Sequence, residues 1–139
     1  MQYSDKELIA LLNKVKTIAI VGAVDKPNRP VNGVAREMIA MGYNIIPVHP
    51  NRKDVWGLKT YKSIKEIPIP VDIIDVFRHA DACPLHAQEA LEMSPSPGCF
   101  WMQSGISSSE ARDILHKSGI TVVENRCLKV ELRRLGMRQ

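Results

Sequence analysis

Five short aliphatic runs, each followed by a loop and a helix-patterned segment, dictate what this chain can fold into. The first, Thr17-Ile18-Ala19-Ile20-Val21, is apolar without interruption after its threonine and stops at Gly22. Alternating apolar and polar residues mark a half-buried strand. An unbroken run of this length marks a strand covered on both faces, as in a parallel sheet. Asn44-Ile45-Ile46-Pro47-Val48, Val71 through Phe77, Cys99-Phe100-Trp101-Met102 and Ile120-Thr121-Val122-Val123 are four more aliphatic runs of strand length, the one from Val71 interrupted by Asp72 and Asp75. Pro47 has no N–H to give to a ladder, so it must sit near a strand end or face a gap.

Helix signals fill the intervals. Ser4-Asp5-Lys6-Glu7 is a capping-box pattern opening a short helix that ends near Asn13. Val34, Met38, Ile39 and Met41 form a stripe that stops at Gly42. Pro84 suits the first turn of a helix over residues 84–93, where a missing N–H costs nothing. Ser107 and Glu110 form a second capping-box pattern, opening a helix that ends before Gly119, and a last helix covers residues 128–135. Residues 52–70 read as irregular, with one helical turn around residues 63–66. Strand and helix thus alternate five times.

That alternation predicts an α/β fold of the Rossmann-like, doubly wound kind: a five-stranded parallel sheet with right-handed crossovers, between helices in a three-layer α/β/α arrangement. The 139 residues make one domain, 1–139, with residues 1–16 as an N-terminal helical extension and 17–135 as the core. The expected strand order is third, second, first, fourth, fifth. Residues 17–21 are then central, residues 71–77 lie near one edge, and the switch point falls between the first and fourth strands. In open sheets of this kind ligands bind outside the C-terminal strand ends, at the switch point.

Charge narrows the ligand. The net charge of +4 suits an anion such as a polyphosphate. Nucleic acid is a poor match: the basic residues form no run beyond Arg133-Arg134, and aromatics for base stacking are only 5% of the chain. No apolar run approaches membrane-spanning length, and the first residues lack a signal-peptide pattern. The odd count of three cysteines adds to the expectation of reduced thiols and a cytoplasmic location.

The loops after the strands carry the candidate chemistry. After the first strand, Gly22, Ala23 and Val24 lead into a stretch with Lys26, Arg29 and Pro30, and Asn32 and Gly33 follow at the start of the helix. Glycine permits a tight turn and close approach of a phosphate, backbone N–H groups from Gly22 to Val24 would donate to it, and two cations stand alongside. His49-Pro50-Asn51 follows the second strand, Phe77-Arg78 the third and Gln103 the fourth. The dinucleotide fingerprint GxGxxG is absent, and no acidic residue for a ribose ends the second strand, which argues against NAD or FAD.

In order along the chain, these pieces resemble the stand-alone CoA-binding domains, relatives of the N-terminal domain of the succinyl-CoA synthetase alpha subunit. The resemblance spans about residues 17–135. It rests on Ile18-Ala-Ile-Val-Gly-Ala23 with Lys26-Pro27-x-Arg29-Pro30, and on Gly42-Tyr43-x-Ile-Ile-Pro47-Val48-x-Pro50. It continues through Val55-x-Gly57-x-Lys59-x-Tyr61, Val71-Asp72-Ile-Ile-Asp75-Val76-Phe77-Arg78 and Trp101-Met102-Gln103-x-Gly105-Ile106, and closes on Asn125-Arg126-Cys127 with Glu131 and Arg133. The resemblance implies a protein that binds coenzyme A or an acyl-CoA through its nucleotide part. It implies no catalytic residue, and leaves room for a homodimer or a partner enzyme subunit. Gly22, Lys26, Arg29 and Pro30 match the phosphate loop, and Pro50, Phe77, Arg78 and Gln103 the later loops. The chain departs from the family at Val24 and Val31, where serines are usual, at His49, where asparagine is usual, and at Leu132, where histidine is usual.

Other constellations are weaker. His79, Cys83 and His86 have helical spacing for a metal, but Pro84 breaks the helix and no fourth ligand is near, so no metal site is expected. Cys127 follows Arg126 at a helix start, which would favour its thiolate and a mixed disulfide with the CoA thiol; a small packed residue is the plainer reading. Asp72 and Asp75 point to opposite faces and form no dyad, and Asp75 is assigned a backbone hydrogen bond near the crevice. Trp56 and Trp101 are core candidates, with Trp56 also a cover for the ligand. No catalytic motif is found, so a binding protein is expected rather than an enzyme. The rival readings are a subunit of an acyl-CoA ligase or transferase and an NAD(P)-binding Rossmann protein.

Overall fold

The computed structural model describes residues 3–137; the outermost residues of the expected 1–139 domain lie outside this range. Within it, the elements run α1 (Asp5–Leu12), β1 (Thr17–Val21), α2 (Pro30–Ala40), β2 (Asn44–Val48), a hairpin of β3 (Asp54–Val55) and β4 (Leu58–Lys59), β5 (Ile73–Val76), α3 (Cys83–Leu91), β6 (Cys99–Met102), α4 (Ser109–Leu115), β7 (Thr121–Val123) and α5 (Leu128–Arg134). Two short 3-10 turns, Ile64–Glu66 and Ala80–Ala82, precede β5 and α3. Every pairing in the five-stranded sheet is parallel.

Helices cover both faces. Leu8 and Leu12 of α1, Ala35 and Met38 of α2, and Leu128 and Leu132 of α5 pack with Ile18, Ile20, Ile73 and Trp101 on one side. Cys83, Ala87 and Ala90 of α3 and Ala111 and Leu115 of α4 pack with Ala19, Ile74, Phe100 and Met102 on the other. Each large aliphatic side chain so buried contributes ~1.5–3 kcal/mol. The expected three-layer α/β/α architecture is therefore the one formed.

The strand order is β2-β1-β5-β6-β7, which corrects the order expected from the sequence. The third aliphatic run is not near an edge: it forms β5, the middle strand. β1 is its neighbour, β2 is the edge, and the switch point lies between β1 and β5. Three features of the packed chain accompany this order. Pro47 removes a donor from β2, which suits an edge. The outer side of β2 is then closed by the segment after the β3–β4 hairpin, where Tyr61 N donates to Pro47 O at 3.1 Å and His49 N to Tyr61 O at 2.9 Å. Finally, the Asp72 carboxylate accepts from Lys16 N and Thr17 N at 2.8 and 2.9 Å, clamping the start of β5 beside β1.

Two caps were read with different success. The Ser4–Glu7 box forms with both hydrogen bonds. The second does not form at Ser107 and Glu110: Ser108 is the N-cap, and its hydroxyl accepts from Ala111 N. Neighbouring serines left the register open.

Candidate functional site

β1 leads away toward β2 and β5 leads away toward β6, so their C-terminal ends part over a crevice. Gly22 closes its floor. It has φ +87, and a Cβ there would stand 2.6 Å from the Phe77 carbonyl oxygen. Only glycine lets the ends of β1 and β5 approach this closely.

The main-chain donors differ from expectation. Gly22 N and Ala23 N both donate to Val48 O, at 3.1 and 3.2 Å, and continue the sheet toward β2. They are not available to a phosphate. Among the described residues, the N–H groups of Val24 and Lys26 donate to no main-chain carbonyl, while that of Asp25 turns to its own carboxylate. α2 follows with Arg29 at its N-cap and Pro30 at its first position; it has no side-chain cap and no acidic residue in its first turn. A helix start of this kind is complementary to an anion.

Two clefts open on either side of Gly22, Arg29 and Phe77, which line both. One, of about 260 Å³, runs over β6 and between the starts of α2 and α5; Pro30, Val31, Val34, Gln103, Ser104, Ile106 and Cys127 complete it. Its wall is largely apolar. The other, of about 340 Å³, opens toward β2 and is completed by Val24, His49, Pro50, Asn51, Arg78 and His79. Arg29 and Arg78 bring positive charge to this second cleft, with Lys26 and Arg52 near its His49. Burial holds the His49 imidazole below its usual pKa, and the positive charges of Arg52, Arg78 and Lys26 push it in the same direction. Asp25 pairs with Arg52 at 2.9 Å, and that hydrogen bond holds its carboxyl below the usual carboxylate range.

Arg78 is steadied from below. Its Nη1 lies 3.4 Å from His86 Nε2, and His86 Nδ1 lies 2.8 Å from Glu89 Oε1. Arginine can only donate, so His86 accepts at Nε2 and donates from Nδ1 to the carboxylate. Ser63 donates to the other Glu89 oxygen at 3.1 Å. The sequence reading missed this relay, because residues 63, 78, 86 and 89 meet only through packing of α3 on the sheet.

Of the residues singled out from the sequence, the structure brings Gly22, Val24, Arg29, Pro30, His49, Pro50, Asn51, Phe77, Arg78 and Gln103 onto the two clefts. Four are placed elsewhere. Ala23 is fully buried in the core. Lys26 and Gly33 are exposed and line neither cleft, Lys26 acting there only through its field on His49. The Asn32 side-chain oxygen accepts from Trp56 Nε1 at 2.9 Å and Arg36 Nε at 3.1 Å. Trp56 therefore ties the hairpin to α2 and does not cover the crevice. Val34 and Ile106 were missed as cleft residues, as were Val31 and Cys127, which had drawn notice on other grounds. Val34 reads from the sequence as core stripe; Val31, a departure from the family serine, is both core and cleft wall, at 4% exposed. Leu132 is wholly in the core, so that departure from the family pattern lies away from the crevice.

Polar atoms beneath the apolar cleft lack partners. Asp75 pairs with Trp101 in register, so both side chains point to the α2 and α5 face, and Gln103 follows two residues on from Trp101. Asp75 is fully buried and neither oxygen has a hydrogen-bond partner, which corrects the backbone bond expected for it. Burial raises its pKa well above the ordinary value. Gln103 Oε1 accepts from Leu128 N at 3.1 Å, while its Nε2 is buried and unpartnered. No group of three potential metal ligands occurs among the described residues. His79 caps the turn before α3, its Nδ1 accepting from Asp81 N, and Cys83 is buried. Cys127 is the N-cap of α5, and the neighbouring Arg126 guanidinium is turned to Glu131 at 2.9 Å. No helix among the described residues is long and apolar enough to cross a membrane.

Known proteins share this fold. Residues 16–133 match the family model described as CoA binding domain. The chain is 40% identical over 127 residues to the uncharacterized protein YneT of Bacillus subtilis (strain 168), covering 91% of this chain and 93% of that protein. A solved structure from Thermus thermophilus, cell-free ID.343, is 41% identical with a TM-score of 0.89, covering 96% of this chain and 99% of that one. A hypothetical protein from Pyrococcus horikoshii OT3 is 30% identical with a TM-score of 0.91, covering 96% and 92% respectively.

Proposed function

Because this chain belongs to the CoA binding domain family, we propose that it binds coenzyme A or an acyl-CoA across the two clefts and performs no chemistry on the acyl group. The observation that carries the reading is the paired form of the crevice. One wing carries Arg78 beside His49, Pro50 and Asn51, the other is largely apolar, and both meet at Gly22, Arg29 and Phe77. Coenzyme A has the same division: a nucleotide with a pyrophosphate and a 3′-phosphate at one end, and a long, weakly polar arm at the other.

The pyrophosphate then lies at the junction, against Arg29 and the start of α2. The adenosine and its 3′-phosphate occupy the wing of His49, Pro50, Asn51 and Arg78, and the arm follows Val31, Val34 and Ile106. Charge-assisted hydrogen bonds to such phosphates contribute ~1.5–3 kcal/mol each when well placed. Valine at positions 24 and 31 offers no hydroxyl, so anion affinity rests on Arg29, Arg78 and main-chain donors. Nucleotide binding as part of a larger acyl-CoA ligase or transferase uses the same clefts; copurification of a second subunit would favour it.

Isothermal titration calorimetry against CoA, dephospho-CoA and NAD tests the reading. CoA should bind tightest, and dephospho-CoA should bind at least about tenfold more weakly, equivalent to 1.4 kcal/mol for the lost 3′-phosphate contact. NAD binding as tight as CoA binding would reject the assignment.

A further inference from the structure

We propose that the apolar cleft is a thiol-exchange site: Cys127 takes the thiol end of a CoA-bearing disulfide into a mixed disulfide, so the protein stores the cofactor in a reversibly blocked form. The inference rests on the CoA reading above and extends it from binding to a covalent step.

Three observations converge. Cys127 lines the cleft at its end remote from the cationic wing, while the other two cysteines are fully buried. Second, Gln103 lies in the same wall and is 4% exposed. Its main-chain N–H donates to Val76 O, its carbonyl accepts from Ile106 N, and its Oε1 accepts from Leu128 N, the residue after Cys127. Only Nε2 is left, a buried donor without an acceptor. Leaving such a donor unsatisfied costs ~1–3 kcal/mol, and a ligand carbonyl beside the thiol removes that cost. Third, the route from Arg29 to Cys127 is continuous along one cleft lined by Val31, Val34 and Ile106. A ligand anchored by its phosphates at Arg29 thus extends an amide-bearing, thiol-ended arm toward Gln103 and Cys127.

The chemistry is thiol–disulfide exchange. The Cys127 thiolate attacks the CoA sulfur of a disulfide that carries CoA. That S–S bond breaks and a new one forms between Cys127 Sγ and the CoA sulfur. The other half of the disulfide leaves as a thiolate and takes up the proton Cys127 released. Cys127 is oxidised, the leaving half is reduced, and a thiol reductant returns CoA and the free cysteine.

The test is intact-mass spectrometry of the folded protein after incubation with CoA disulfide and, separately, with glutathione disulfide. The expected result is one CoA adduct per chain, mapped to Cys127, formed at least about tenfold faster than the glutathione adduct, released by dithiothreitol and absent in C127S. C83S, whose thiol lies outside the cleft, should still form it. Q103M, which removes the unpartnered donor and keeps the side chain's length, should narrow the rate advantage. Equal rates with both disulfides, or adducts on Cys83 or Cys99, would overturn the proposal. Calorimetry of the wild type with reduced CoA, under a phosphine reductant, separates the two readings. Reduced CoA that binds while no adduct forms overturns the exchange alone; neither binding nor adduct overturns the CoA reading with it.

Discussion

Gly22 and Phe77 lie so close that a β-carbon on the first would stand 2.6 Å from the carbonyl oxygen of the second. This contact joins the ends of β1 and β5 under the crevice, so Gly22→Ala both strains a backbone at φ +87 and forces the two strand ends apart. The strain alone costs ~1–2 kcal/mol. At this chain length each kcal/mol lowers Tm by roughly 3–5 °C. Thermal unfolding of G22A should show at least that loss, with CoA affinity falling at least about tenfold; an unchanged Tm would mean that the strand ends can part freely.

Arg29 and Lys26 looked equivalent in the sequence, and the structure separates them. Arg29 lines both clefts and Lys26 lines neither. R29A should weaken CoA binding by about 1.5–3 kcal/mol, the value of a charge-assisted bond. K26A should act only through the long-range field, by less than about threefold, and its effect should fade as salt shortens the Debye length. Calorimetry at low and high ionic strength distinguishes the two.

Asp75 predicts an inverted pH dependence. Its folded pKa is raised by burial, so the folded state holds the proton more tightly than the unfolded chain does. Stability from this group is complete below the unfolded value, near ~3.9, and is lost as pH rises through the folded value. D75N keeps the shape and cannot ionise. Its Tm relative to wild type should therefore climb as pH rises from the unfolded carboxyl value through the raised folded one. A constant difference across that range would show that Asp75 is partnered or hydrated in solution.

The three thiols should react in order of access. Cys127 is partly exposed, whereas Cys83 and Cys99 are fully buried. Burial pushes the Cys83 thiol up to about 11 and the Cys99 thiol higher still. Alkylation of the native protein with iodoacetamide, followed by peptide mapping, should find Cys127 modified first. Saturating CoA should slow that reaction, because the arm would fill the cleft beside it.

Much of the cleft was legible because loops after parallel strands converge by topology, whichever way the strands are ordered. His49, Pro50, Asn51, Phe77, Arg78 and Gln103 follow three different strands and still meet at one end of the sheet. What failed was assigning work to individual groups. The N–H groups of Gly22 and Ala23 looked free beside a glycine turn and are spent on Val48 O. Asn32 looked poised at a helix start and is taken by Trp56 and Arg36.

The aliphatic runs by themselves determined five strands, their parallel sense and the helices on both faces, because predominantly apolar strands that alternate with helices must be covered from both sides. The order of those strands was decided only in three dimensions. Pro47 carried a hint that β2 is an edge, but Asp72 reaching back to Lys16 and Thr17, and Tyr61 closing β2 from outside, are pairings between residues far apart in the chain. The same holds for Asp75 and Gln103. A sequence shows that a carboxyl or an amide lies on a strand; only the packed structure shows which of its atoms has been left without a partner.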